Sequence, residues 1–241
     1  MSVRFPFRTN FGRISSTKDM TAGEPMKLIF VFSIPLLLGN LFQQFYSLVD
    51  TIIVGRLLGT NALAAVGSTG AMNFLILGFV YGLTSGFAVI TAQKFGAKDM
   101  EGLRQSFAEN IKLNAVSTVI FTAVSLLLAK PILLLTNTPP EILKDAYAYI
   151  AVIFIGIFSM VLYNMAACIL RAMGDSKTPL YYLIISSILN IVLDIVFILV
   201  FKMGVAGAAW ATVISQVFSG ILSVIHIIRK FQVLRLRKKD F

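Results

Sequence analysis

Six stretches of this sequence, 28–54, 62–92, 112–135, 144–170, 179–201 and 205–229, are long and nearly free of charge, and little of the chain lies outside them. A helix needs only about 18 to 20 apolar residues to cross the hydrocarbon core of a bilayer. The chain is 57% hydrophobic and 13% charged, with mean hydropathy +0.85, against roughly 25% charged residues in soluble domains. These runs predict an all-α membrane protein with six transmembrane helices. The first run is too long for a signal-peptide core and lacks a small-x-small cleavage site, so it reads as an uncleaved first span.

Polar turns separate the runs. Gly55-Arg56 closes span one, and Lys94–Lys112 parts spans two and three. That second stretch has the pattern of an amphipathic helix on the inner leaflet. Asn137-Thr138-Pro139-Pro140-Glu141 stops span three and starts span four, with Thr138 as N-cap, proline in the first turn and an acid behind it. Arg171–Pro179 forms a tight turn into span five, and Met203-Gly204 a hairpin into span six. Residues 1–26 read as a basic cytoplasmic tail, 27–230 as the helical body, and 231–241 as a second basic segment.

Counting Lys and Arg by side orients the spans. Seventeen of the 21 fall in the two tails and the second and fourth loops; Arg56, Lys130, Lys144 and Lys202 fall on the other side. Basic residues accumulate in cytoplasmic loops, so both termini are expected in the cytoplasm and the protein in the cytoplasmic (inner) membrane. The same asymmetry accounts for the net charge of +10 without nucleic acid. Membrane lipid is the expected surrounding partner. Cys168 stands alone, so no intrachain disulfide forms. His226 is also alone, and a metal site would need further ligands.

Within this apolar body two acids stand out. Of the 11 Asp and Glu residues, only Asp50 and Asp194 lie away from a loop, a tail or a helix end. An ionised carboxylate at membrane depth costs several kcal/mol or more, so such residues usually face a wet cavity and carry an ion, a proton or a substrate. Spans one and five both run outward. Asp194 is roughly 23 Å in from Pro179 at 1.5 Å per residue, and Asp50 is near the outer end of its span, so the two acids are expected at similar depth in one site. Asn40, Gln43, Ser47 and Asp50 recur at helical spacing on span one, as do Ser187, Asn190 and Asp194 on span five. Span six carries Thr212, Ser215, Gln216, Ser219 and Ser223. Hydroxyls and amides of this kind also serve as glue between membrane helices, whereas unneutralised acids are poor glue. Pro35 removes a backbone hydrogen bond in mid-span and predicts a kink that a gate can use. The small residues Gly204–Ala209 predict a close approach by span six.

Several of these elements, taken together, resemble the multidrug and toxic compound extrusion (MATE) transporters, nearest their prokaryotic branch related to DNA-damage-inducible protein F. They are Pro35 with Gln43–Asp50 and Gly55, the turn Arg171-Ala-Met-Gly-Asp-Ser-Lys-Thr-Pro179, Asn190-x-x-x-Asp194, and Gly204-Val-Ala-Gly-Ala-Ala-Trp-Ala-Thr212. The likeness runs from about Glu24 to Lys230. It implies one six-helix lobe of a transporter of the multidrug/oligosaccharidyl-lipid/polysaccharide (MOP) superfamily, exporting organic, cationic drugs or metabolites by alternating access in exchange for H⁺ or Na⁺. The positions matching Asp50, Asn190, Asp194 and Thr212 would bind the cation, with no other cofactor, and Pro35 would be the bending point of span one. Asn40, Gln43, Ser47, Ser187 and Gln216 are the expected further lining. Members of that family have two such lobes. A missing C-terminal lobe, or a second copy of this chain, is therefore the implied partner, alongside an organic small-molecule substrate.

Three other readings compete with this one. An intramembrane aspartyl protease also uses two spanning acids, but Asp50 follows Val49, Asp194 follows Leu193, and Gly174-Asp175 is in a turn, so the Tyr-Asp and Gly-x-Gly-Asp pattern of such enzymes is absent. A lipid-linked precursor flippase of the same superfamily would line its cavity with basic residues. A lobe that regulates or scaffolds without transporting is the third.

Overall fold

A computed structural model of the chain describes residues 23–234 and 236; the expected basic tail up to residue 22 and most of the segment from 235 onward lie outside the described residues. Every regular element described is helical. α1 (Pro25–Leu58) opens on a proline, which suits a first-turn position whose N–H has no partner in the helix. It ends at Gly59, whose φ of +87° suits glycine alone. It runs as one helix across Pro35 and is longer at both ends than the expected 28–54.

The expected second span is two helices, α2 (Thr60–Ser68) and α3 (Gly70–Gly96). The cause is local: Ser68 Oγ donates to the Ala65 carbonyl and Thr69 Oγ1 to that of Val66, each at 2.7 Å. Hydroxyls bonded back in this way compete with the helical ladder and interrupt it.

α4 (Met100–Leu135) corrects the reading of Lys94–Lys112 as a surface helix. Asp99 caps α4 by accepting from Gly102 N at 2.9 Å, and the helix then continues unbroken into the third span. Its amphipathic first turns face protein: Leu103 and Phe107 are buried with Ile169, Leu170, Ile227 and Phe231, and Ala108 is fully buried. The expected N-cap at Thr138 is also corrected. Pro139 is the capping residue and makes no side-chain cap, while Thr138 Oγ1 lies 3.3 Å from Thr136 Oγ1. Pro140 begins the helix, so the threonine stands one residue too early.

Span four is likewise divided, into α5 (Pro140–Ile155) and α6 (Ile157–Ala172), bent by 44° at Gly156. A Cβ on Gly156 would collide with Val213 of the last long helix, and Ser159 Oγ takes the Gly156 carbonyl at 2.7 Å. α7 (Lys177–Ile195) passes directly into a π-helical turn (Val196–Val200), and α8 (Val205–Lys230) completes the bundle before a short 3₁₀ turn (Gln232–Leu234). As expected, the small-residue start of α8 packs closely: Ala208 and Ala209 are fully buried, and Gly207 lies against Phe197.

Five helices are long and apolar enough to cross a membrane, and the bent α5–α6 pair makes a sixth span. Large apolar side chains such as Phe30, Leu37, Phe74 and Leu127 cover the outside of the bundle, as a lipid solvent allows and water does not. The chain is a multi-pass membrane protein. α8 forms its centre, packed against α5, α6 and α7, while α1 leans mainly on α7 and α2.

Candidate functional site

Asp50 and Asp194 come from helices far apart in sequence and meet inside the lobe. They are linked through shared neighbours: Asp50 lines a cavity with Tyr46 and Thr212, and those two residues bond the Asn190 amide that reaches Asp194. Asp194 is fully buried and Asp50 only 7% exposed. Oδ1 of each is buried and accepts no hydrogen bond among the described residues. α1 delivers Asp50 eight residues before its last residue, deeper than the shorter expected span implied. α7 delivers Asp194 in its last α-helical turn, immediately before the winding widens into the π turn.

Asn190 sits one turn below Asp194 and is fully buried. With its amide nitrogen toward the carboxylate it donates to Asp194 Oδ2 at 3.1 Å, and its oxygen accepts from Thr212 N at 3.2 Å and Tyr46 Oη at 3.3 Å. The opposite placement puts that nitrogen 3.4 Å from Thr212 Oγ1 but turns the amide oxygen toward acceptors only. The hydrogen-bond pattern thus decides the orientation. Tyr46 Oη also lies 3.2 Å from Thr212 Oγ1. The four residues expected to share a site are brought together: Asp50, Asp194 and Thr212 contribute side-chain oxygens, while Asn190 turns its NH2 to Asp194 and its oxygen to Tyr46 and Thr212.

A cavity of about 380 Å³ opens beside Asp50. Gln43, Tyr46, Ser47 and Asp50 of α1 line one wall, and Asn73, Tyr149, Thr212 and Gln216 line others. A smaller space of about 90 Å³ continues from it, shared by Gln43, Tyr46 and Gln216 and adding Asn164, Ser187 and Ser219. A third, of about 50 Å³, reaches Pro35, Asn40 and Arg171 toward the end of the bundle where α8 finishes. Of the weaker sequence candidates, Gln43, Ser47 and Gln216 line the carboxylate cavity itself. Ser187 lines the second space and spends its hydroxyl on the Leu183 carbonyl at 2.8 Å. Asn40 is confined to the third.

Three contributors escaped the sequence reading. Tyr46 is four residues before Asp50, the same-face spacing that picked out Ser47 and Gln43, but its ring passes for one more apolar residue in a Phe-rich helix. Tyr149 is hidden in span four in the same way. Asn73 carried the clearer signal, as the one amide side chain in the stretch 62–92 that lies well inside it.

Known proteins share this arrangement of helices. The MatE family model matches residues 35–196. The probable multidrug resistance protein YpnP of Bacillus subtilis is 34% identical over 211 residues, covering 88% of this chain and 47% of that protein. DNA damage-inducible protein F of Escherichia coli is 25% identical over 234 residues, covering 96% and 49%. A solved MOP superfamily transporter from Pyrococcus furiosus superposes with TM-score 0.84 at 30% identity, over 92% of this chain and 49% of that one. The chain spans about half the length of the curated relatives it matches.

Proposed function

From a chain that belongs to the MatE family and carries two buried carboxylates on different spans, we propose a secondary active transporter lobe, not an enzyme. In this reading it holds the cation site of an antiporter that exports organic, cationic molecules in exchange for H⁺ or Na⁺. The relatives named as multidrug resistance proteins support the efflux part of this reading. The observation that carries the coupling part is the pair itself, each acid with a buried Oδ1 that no described protein group satisfies.

Two carboxylates this close in a low-dielectric site repel when both are charged, and a proton or a small cation between them removes the repulsion. Na⁺ suits the oxygens of the two carboxylates and Thr212; a proton needs only the two carboxyls. Asn190 holds Asp194 by donating to Oδ2, and Tyr46 and Thr212 hold Asn190. Tyr46 and Asp50 share α1, so neutralising the pair acts directly on the position of that helix. Loading and release of the cation then bias α1 between two positions, with Pro35 as the place where it bends. The cavity beside α1 is the space in which an organic substrate and the cation would compete. The protein would sit in the cytoplasmic membrane with both ends in the cytoplasm, and the rest of the transport path would come from a second lobe or a second copy.

The direct test is ²²Na⁺ binding and proton uptake by the purified chain. Wild-type chain is expected to bind one of the two, and Asp50→Asn and Asp194→Asn each to lose it while still inserting and eluting as folded protein. Unchanged binding in both variants overturns the coupling role. Cation binding by the chain without efflux by cells that carry it would identify a lobe that needs its partner.

A further inference from the structure

α7 and α8 form an antiparallel pair joined by polar rungs along its length. Nearest the end of α8, Asp175 Oδ2 accepts from Lys230 Nζ at 2.7 Å and from Thr178 Oγ1 at 2.8 Å, and Asp175 Oδ1 accepts from Thr178 N at 3.0 Å. Asp175 is fully buried. Next, Tyr182 Oη lies 3.2 Å from Nδ1 of His226, whose Nε2 stands 3.9 Å from Asp175 Oδ2. Further along, Ser186 Oγ donates to the Ser215 carbonyl at 2.9 Å. The last rung is Asn190 with Thr212, at the carboxylate pair.

Apolar contacts between two membrane helices are forgiving of a small axial shift, because lipid and side chain are alike in polarity. Directional bonds are not: one helical turn of slip, about 5.4 Å, breaks every rung. Breaking a buried ion pair is also far costlier than breaking a surface one, since it leaves an uncompensated charge. The register matters because α7 carries Asn190 and Asp194 while α8 carries Thr212. We infer that the Asp175–Lys230 pair, with Tyr182–His226 beside it, is a positioning device that sets the α7–α8 register and so holds the Asp194–Asn190–Thr212 cluster together. The device acts from roughly 27 Å away, since Lys230 is eighteen residues from Thr212 along α8 and each residue rises about 1.5 Å. The functional half of this inference rests on the cation-site reading; the register half stands without it.

Trp210, the chain's single tryptophan, is two residues from Thr212 on α8 and reports the register directly. In the purified chain, Asp175→Asn and Lys230→Gln are each expected to shift the Trp210 emission maximum and to weaken half-saturation by the bound cation about fivefold to tenfold. The double variant is expected to be no worse than either single one, because the pair acts as a unit, and Lys230→Arg to stay near wild type. Lowered thermal stability with emission and half-saturation both unchanged reduces the pair to a structural brace and overturns the inference. A wild-type chain that binds no cation refutes the coupling reading, and the Trp210 shift still decides the register. If Asp175→Asn does not insert, Tyr182→Phe cuts one rung, leaves the ion pair intact, and is expected to move the same readouts by a smaller amount.

Discussion

α1 and α8 both contribute to the carboxylate site, yet they are held in opposite ways. Only 6% of the best apolar window of α1 is buried in the lobe, against 39% for α8. α8 meets α5 and α6 through glycines that leave no slack. A Cβ on Gly220 would come within 2.9 Å of Leu162 and 3.2 Å of the Tyr163 backbone, and one on Gly156 would strike Val213. At Gly39 of α1 an added Cβ meets only Leu180, at 4.0 Å. The carboxylate site therefore spans a boundary. Asn190, Asp194 and Thr212 belong to a fixed frame, and Asp50 and Tyr46 belong to a helix whose hold on that frame is partly the site itself. In such an arrangement a change of charge at the pair has mechanical consequences.

The contrast is testable at both helices. The largest effect is expected at Gly156→Val, which forces a side chain into Val213; overpacking of this kind costs typically about 1–3 kcal/mol and more where backbone resists. The thermal midpoint of the purified chain should fall sharply. Gly39→Ala, on α1, should leave the midpoint unchanged or slightly raised. Equal losses at the two glycines would break the distinction between frame and mobile helix.

Pro35→Ala sharpens it from the other side. Restoring the missing backbone bond should stiffen α1, leaving cation binding and thermal midpoint near wild type while cellular efflux drops severalfold. Efflux at the wild-type rate would remove Pro35 from the mechanism.

Only strong acid should loosen the frame at the Asp175–Lys230 pair. Burial works against the charge of Asp175, but Lys230 and the amide and hydroxyl of Thr178 outweigh it and hold the carboxyl below the usual carboxylate range. The stabilisation is thus fully present above the unfolded value of about 3.9 and is lost as pH falls through the lower folded value. Thermal midpoints followed downward from pH 7 should show this loss only at strongly acid pH, and Asp175→Asn should flatten that limb. The smallest effect is expected at Phe45→Ala, on a side chain 55% exposed: a change within about 0.5 kcal/mol.

What hydrocarbon permits decides how much of this is readable from sequence. Asp50, Asn190 and Asp194 were legible because an acid in an apolar run needs a reason, and the residues near it at helical spacing share its surroundings; Thr212 was singled out by the family resemblance. The spans were legible for the same reason. Their breaks were not. Thr69 and Gly156 sit in runs whose composition does not change across them, and the helices are interrupted there by a hydroxyl finding a carbonyl and a valine arriving from α8. Tyr46 and Tyr149 were lost because a phenol is apolar by area and polar by one atom. The first turns of α4 looked like a surface helix because amphipathicity does not say whether the apolar face meets lipid or protein.

The π turn at Val196–Val200 has one more consequence. Its ladder runs five residues back, as in the bond from Phe201 N to Val196 O at 3.0 Å, so it holds a residue more than α-helical winding needs. Removing one residue there would restore ordinary winding beyond Ile195 with little change in the facing of the downstream residues, leaving Asp194 and everything before it untouched. Relatives of this chain should therefore tolerate a one-residue deletion between 196 and 200 and none between 175 and 195, where it would put the rungs on one side out of phase with Asp194.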